Sequence, residues 1–135
     1  MPDQLNSISP LDGRYSKDVA VLSHYFSESA LMRYRLQVEV EYLIALSNEK
    51  KIAALPPIPN TIQTTLRKLY EKFDSKAARR IKKIETQTNH DVKAIEQYFG
   101  EKLHKINISK FIPWVHFALT SEDVNNIAYS LMWQD

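Results

Sequence analysis

From Ser27 to Leu46 the chain runs through "SESALMRYRLQVEVEYLIAL" without a glycine, proline, asparagine or aspartate. A stretch of that length without a breaker exceeds an ordinary strand and fits a helix. Within it "LQVEVEY" alternates as a strand would, but the apolar pattern continues at Leu36, Val40, Leu43 and Leu46, so the expectation is a helix. Ser27 or Ser29 is placed to cap it, and Arg35 and Glu39 are spaced for an i,i+4 ion pair.

The remaining segments read the same way. "LPPIPN" stops the long helix, because proline lacks an amide donor and clashes with the preceding turn. Asn60 or Thr61 is expected to cap a helix carrying Ile62, Leu66, Leu69, Tyr70 and Phe73. Asp74 and Ser75 turn the chain into a basic helix around Ile81 and Ile84. Val92, Ile95, Phe99 and Leu103 form the next stripe, which Gly100 weakens without breaking. Asn107 and Ser109 start another, through Phe111, Ile112, Val115 and Ala118, with Pro113 near its first turn. Thr120 or Ser121 then caps a last helix, with Val124, Ile127, Ala128 and Leu131 facing inward.

Only two glycines occur, Gly13 and Gly100, which argues against turn-rich β architectures and glycine-rich phosphate loops. The expected fold is all-α, with about seven helices. The last helix, "NIAYSLMWQD", carries no C-cap signal. Residues 1–135 are therefore expected to be one helical domain cut inside a helix, leaving Leu131 and Trp133 to meet a partner.

Several functions are excluded or disfavoured. The chain has no cysteine, so disulfides, thiolate catalysis and zinc-thiolate sites are absent. It has no apolar run near the roughly 18 residues needed to cross a bilayer, and "MPDQLNSISP" lacks the form of a signal peptide. A cytoplasmic location without membrane contact is expected. The net charge is only +2. Residues 67–83 nevertheless carry eight Lys or Arg against Glu71 and Asp74, a local net of +6. That run reads first as an exposed helical face and second as a nucleic-acid surface, for which interleaved aromatics are few.

Three polar clusters stand at loops or helix starts: "DGRY" with Arg14 and Tyr15, "TNHD" with Asn89, His90 and Asp91, and "TSED" with Thr120 and Ser121. Helix N-termini expose unpaired N–H groups and partial positive charge, which suits phosphates and carboxylates. Arg14 adds a bidentate fork and His90 a switchable donor. Each cluster also has a plain structural reading as a cap or a solvated turn. His24, His104 and His116 are expected to be structural.

Together "SPLDGRY", "ARRIKKIETQTNHDVKAIEQYF" and "FIPWVHFALTSEDVNN" resemble the N-terminal region of the bacterial adenylosuccinate lyases, within the aspartase/fumarase superfamily. The resemblance runs from about Ile8 to the end. It implies an all-α homotetramer that eliminates fumarate from adenylosuccinate, giving AMP, and from the succinyl-carboxamide ribotide of purine synthesis. A base removes a proton beside a carboxylate, an aci-carboxylate forms, and an acid protonates the leaving nitrogen. No cofactor is implied.

Carried over by motif, Arg14 and Tyr15 would contact the nucleotide. Asn89, His90 and Asp91 match the substrate-binding "NHD", with His90 hydrogen-bonding substrate and Asp91 orienting its neighbours. Thr120 and Ser121 match the pair that binds a succinyl carboxylate. The family's acid histidine on a "THGQ"-like segment and base serine on an "SSxMPxKxNP"-like loop are not in this sequence. Nor are the long central helices that build the tetramer. The resemblance thus implies a substrate-binding part, inactive alone, of a site assembled from several subunits. The competing expectation is a non-catalytic all-α module that reuses the domain for binding.

Overall fold

The computed structural model describes residues 4–135. Six α-helices follow one another among the described residues: α1 (Ser23–Phe26), α2 (Glu28–Ser47), α3 (Asn60–Glu71), α4 (Ser75–Thr88), α5 (Asp91–Lys105) and α6 (Ser121–Gln134). Short 3₁₀ turns lie at Gln4–Asn6, Ala20–Leu22 and Ser109–Trp114. Among the described residues there is no strand, so the chain is all-α as expected. No described helix is long and apolar enough to cross a membrane.

α2 is the axis of the molecule, and its two sides enter different cores. Met32, Leu36, Val40 and Leu43 join Leu66 of α3, Ile81 and Ile84 of α4, and Ile95, Phe99 and Leu103 of α5. Ala30, Tyr34 and Val38 meet Val92, Val124, Ala128 and Met132 in a second cluster under α6. A helix buried on both sides carries apolar residues all round, so its sequence loses the one-sided 3.6-residue stripe. That is why "LQVEVEY" alternates without being a strand.

The caps follow residue chemistry where a short oxygen side chain precedes the helix. Ser27 accepts from the Ala30 N–H (3.1 Å), and Asp74 accepts from the Ala77 N–H (2.8 Å). Thr120 and Asp123 form a reciprocal capping box at α6, satisfying two orphan donors at once. α3 differs from expectation. It starts at Asn60 with Pro59 as its boundary residue and no side-chain cap, because the Pro59 carbonyl already accepts from Ile62 and Gln63. α3 is instead tied to α2 by Arg67, whose Nε and Nη2 donate to both oxygens of Glu41 (2.8 and 3.0 Å).

Three further expectations fail locally. The helix anticipated from Asn107 to Ala118 is only the 3₁₀ turn Ser109–Trp114. His116 and Ala118 both take left-handed backbone (φ 60°), which no helix accommodates. Ile127 is 50% exposed, because α6 turns Val124, Ala128 and Met132 into the cluster beside α2 and leaves Ile127 off that stripe. Arg35 and Glu39 do not pair with each other; each reaches to another element, as described next. Trp133 is exposed as anticipated and packs at a tilt against Phe26 with ring centroids 5.0 Å apart.

Candidate functional site

α4 and α5 form an antiparallel hairpin whose turn is Asn89 and His90. Asn89 ends α4 in the left-handed region (φ 51°), a conformation that asparagine tolerates better than most residues. His90 then opens α5. Its Nδ1 accepts the Lys93 N–H at 3.1 Å, so the imidazole is the cap. Neither the Asn89 nor the Asp91 side chain supplies this cap. The imidazole cap has a chemical consequence. With Nδ1 engaged as an acceptor, the proton of the neutral ring sits on Nε2, and the half-exposed ring presents a donor outward.

Asp91 is turned toward the protein. Its Oδ1 accepts from the Val92 N–H (2.8 Å) and its Oδ2 pairs with Arg35 Nη2 (2.9 Å). Burial pushes the Asp91 carboxyl up, but the Val92 N–H and the Arg35 guanidinium outweigh it, and the group sits below its ordinary range. The same Arg35 donates from Nε to Asn125 Oδ1 at 2.9 Å. One nearly buried guanidinium thus ties the start of α5 to the first turns of α6. The helix starts at "TNHD" and "TSED", two motifs that begin 32 positions apart in sequence, are joined across it.

At α6 the two hydroxyls have different fates. The Thr120 hydroxyl is committed to the capping box: Oγ1 accepts from the Asp123 N–H (3.3 Å) and donates to Asp123 Oδ2 (2.9 Å). The Thr120 N–H and hydroxyl together hold the Asp123 carboxyl below its ordinary range. The Ser121 side chain makes no hydrogen bond among the described residues, nor does that of Asn89. The groups left without a protein partner are therefore the Asn89 amide, His90 Nε2 and the Ser121 hydroxyl, around two helix N-termini.

The segment leading into Thr120 is held by α2. Glu39, wholly buried, shares a hydrogen with His116 across 2.5 Å between Oε1 and Nδ1. Its Oε2 has no partner. Burial is the main reason that the Glu39 carboxyl is pushed above its ordinary range, against the pull of His116; the nearby Glu96 adds to the rise. His116 Nε2 lies 3.7 Å from Glu96, and Tyr42 donates to the Phe117 carbonyl (2.8 Å). Arg35, Glu39 and Tyr42 occupy successive turns of one face of α2. A cleft of about 550 Å³ borders this region along α5, lined in part by Lys93, Glu96 and Val115.

Arg35, Glu39 and His116 were not legible as site residues. α2 also carries Glu28, Arg33 and Glu41, so nothing in the sequence singled out Arg35 and Glu39 as the two charged residues that packing buries and that must find distant partners. "DGRY" stands apart. Arg14 lies over the Tyr15 ring (4.7 Å), and both are exposed. No hydrogen bond or ion pair among the described residues joins them to the other clusters. Gly13 is required there, since a Cβ would lie 2.9 Å from the Gln4 carbonyl oxygen. No set of three or more His, Asp or Glu side chains placed to hold a metal occurs among the described residues.

The chain is 44% identical over 129 residues to an adenylosuccinate lyase of Legionella pneumophila, covering 95% of this chain and 28% of that protein. It is 46% identical over 136 residues to that of Dictyostelium discoideum (96% and 28%) and 40% identical over 129 residues to that of Escherichia coli (95% and 28%). The chain thus spans 28% of the length of these curated relatives. Residues 13–135 match the family model described as Lyase, a match over nearly the whole chain, and the chain belongs to that family.

Proposed function

We propose that residues 1–135 are the substrate-binding N-terminal domain of an adenylosuccinate lyase. The observation that carries this reading is the Arg35 bridge between Asp91 and Asn125. It sets two helix N-termini side by side while leaving three hydrogen-bonding groups unused. A substrate bearing a phosphate and a dicarboxylate suits such a site, because helix N-termini and neutral donors favour anions, and the Asp91 and Asp123 carboxylates there are already engaged by Arg35 and by the Thr120 cap.

In this reading Asn89 and His90 hydrogen-bond substrate, Asp91 orients them through Arg35, and Ser121 with the α6 N-terminus takes the succinyl carboxylate. Thr120 shapes that N-terminus. Arg14 and Tyr15, on their separate loop, meet the nucleotide. The acid and the base come from segments outside these residues, in a cytoplasmic homotetramer that assembles each site from several subunits. The reaction releases fumarate from adenylosuccinate and from the succinyl-carboxamide ribotide.

The test measures fumarate release from adenylosuccinate by the full-length protein and by the 135-residue chain. The full-length protein is expected to turn over. The chain alone is expected to show none, since an acid and a base each contribute about 10²–10⁴-fold. Robust turnover by the purified chain, or none by the full-length protein, sinks the reading.

A further inference from the structure

The basic run of residues 67–83 takes no part in the site above, and the fold divides it into two sets. Arg67 is committed to Glu41, Lys82 to Glu28 and Glu85, and Arg80 to Glu101. Lys68, Lys72 and Lys76 make no ion pair among the described residues. These three converge, with Arg80 and Lys102, on a cleft of about 360 Å³. It lies where the C-terminal end of α3, the first turn of α4 and the last turns of α5 meet.

Tyr98 lines the cleft from below. The residue is 4% exposed, and its hydroxyl makes no hydrogen bond among the described residues. Nine-tenths and more of the residue is buried, and its one polar atom is unused. Burial pushes the phenol up, and the charges of Asp74 and Glu101 add to this. Asp74 lines the cleft and Glu101 pairs with Arg80 beside it, and the Tyr98 hydroxyl, hydrogen-bonded to neither, keeps its proton to donate. Those carboxylates are already engaged: Asp74 caps α4 through the Ala77 N–H, and Glu101 holds Arg80.

We propose that this cleft binds an oligophosphate group, free or carried on a nucleotide, with Lys68, Lys72 and Lys76 neutralising its charge and the Tyr98 hydroxyl donating to it. The charge is too concentrated for a single carboxylate. Lysine ammonium groups are compact point charges that suit phosphate oxygens spread over a short chain. The volume is that of a small-ligand site. A single-stranded nucleic acid would want exposed aromatic rings to stack upon. The ring here is buried, with Lys102 Nζ 4.9 Å from its centroid. α4 has 14 residues, so the cleft lies roughly 20 Å from Asn89 and His90 at the opposite end of that helix. The inference does not rest on the proposed lyase reading.

The test is titration calorimetry of the protein with inorganic tripolyphosphate, a nucleoside triphosphate and a single-stranded RNA oligomer. Three variants accompany it: the pair Lys72→Glu and Lys76→Glu, the single change Tyr98→Phe, and the pair Lys50→Glu and Lys51→Glu, which reverses equal charge on an exposed surface elsewhere. Saturable one-to-one binding of tripolyphosphate is expected. It should weaken at least about tenfold with Lys72→Glu and Lys76→Glu, and about three- to tenfold with Tyr98→Phe. Lys50→Glu and Lys51→Glu should leave it unchanged. Tighter binding of the nucleoside triphosphate supports a nucleotide as the source, and equal binding supports the free oligophosphate. The proposal is overturned by absence of saturable binding, by equal weakening in the Lys50 and Lys51 pair, or by RNA binding that grows with length and that tripolyphosphate does not displace.

Discussion

Glu39 Oε1 and His116 Nδ1 lie 2.5 Å apart although 77 positions separate them. The contact anchors a left-handed residue four positions before Thr120 to the centre of α2. A buried carboxylate with one oxygen unpartnered is costly. What it secures is the path of the segment that delivers the α6 N-terminus to the site.

Glu39 should make the protein less stable as pH rises. Its folded-state carboxyl lies above the ordinary 4.5, so the native state holds that proton more tightly than the unfolded chain does. The associated stability is complete below about 4.5 and is lost as pH rises through the folded value. Glu39→Gln should abolish that decline and be at least as stable as wild type at pH 8. Urea midpoints across pH check this, and parallel profiles for the two proteins would refute it. His116→Ala should instead cost about 1–3 kcal/mol, because it strips the buried carboxylate of its partner.

Arg35→Lys should not be conservative. The guanidinium meets Asp91 and Asn125 with two different nitrogens, which an ammonium on a flexible stem cannot reproduce with the same geometry. A loss of about 1.5–3 kcal/mol is expected from broken hydrogen bonds to a charged group, read as a lower urea midpoint. Asp91, held below the ordinary 3.8, contributes stability that is present above that value and lost as pH falls through its lowered one. An Arg35→Lys protein with the wild-type midpoint would show that the bridge is replaceable.

His90 caps α5, and the proposed function gives it a second role toward substrate that one substitution can separate from the first. His90→Ala removes the cap and the outward donor. It should cost about 1 kcal/mol of stability and about ten- to a hundredfold in kcat/KM of the full-length enzyme. His90→Asn restores a good cap without an imidazole, so stability should return while kcat/KM stays low. If kcat/KM recovers with the cap, the imidazole has no part in substrate binding.

Thr120 and Ser121 should divide in the opposite way. Thr120→Ala breaks the capping box and should lower stability by about 1 kcal/mol. Ser121→Ala removes a hydroxyl with no protein partner, so stability should stay within about 0.5 kcal/mol. KM for adenylosuccinate should nevertheless rise about tenfold. Equal effects of both changes on the urea midpoint would contradict the hydrogen-bond assignment.

Local chemistry alone determined much of this protein. Ser27, Asp74 and Thr120 cap the helices that they precede, because a short side-chain oxygen reaches an N–H three residues on whatever the rest of the chain does. The stripes Ile81 and Ile84, and Val92, Ile95, Phe99 and Leu103, are buried as their spacing requires. Where spacing was ambiguous, only the tertiary structure decided. An i,i+4 separation permits an Arg35–Glu39 pair, but both side chains are buried between elements that offer Asp91, Asn125 and His116, and desolvated charges take the partners that enclose them. The same holds for His90, whose capping role depends on a hairpin turn set by Asn89, and for Ile127, whose exposure reflects how α6 lies on α2. Likewise, Arg35 joins the helix starts that follow "TNHD" and "TSED" while "DGRY" stands apart, because helix packing sets distances that sequence separation does not encode.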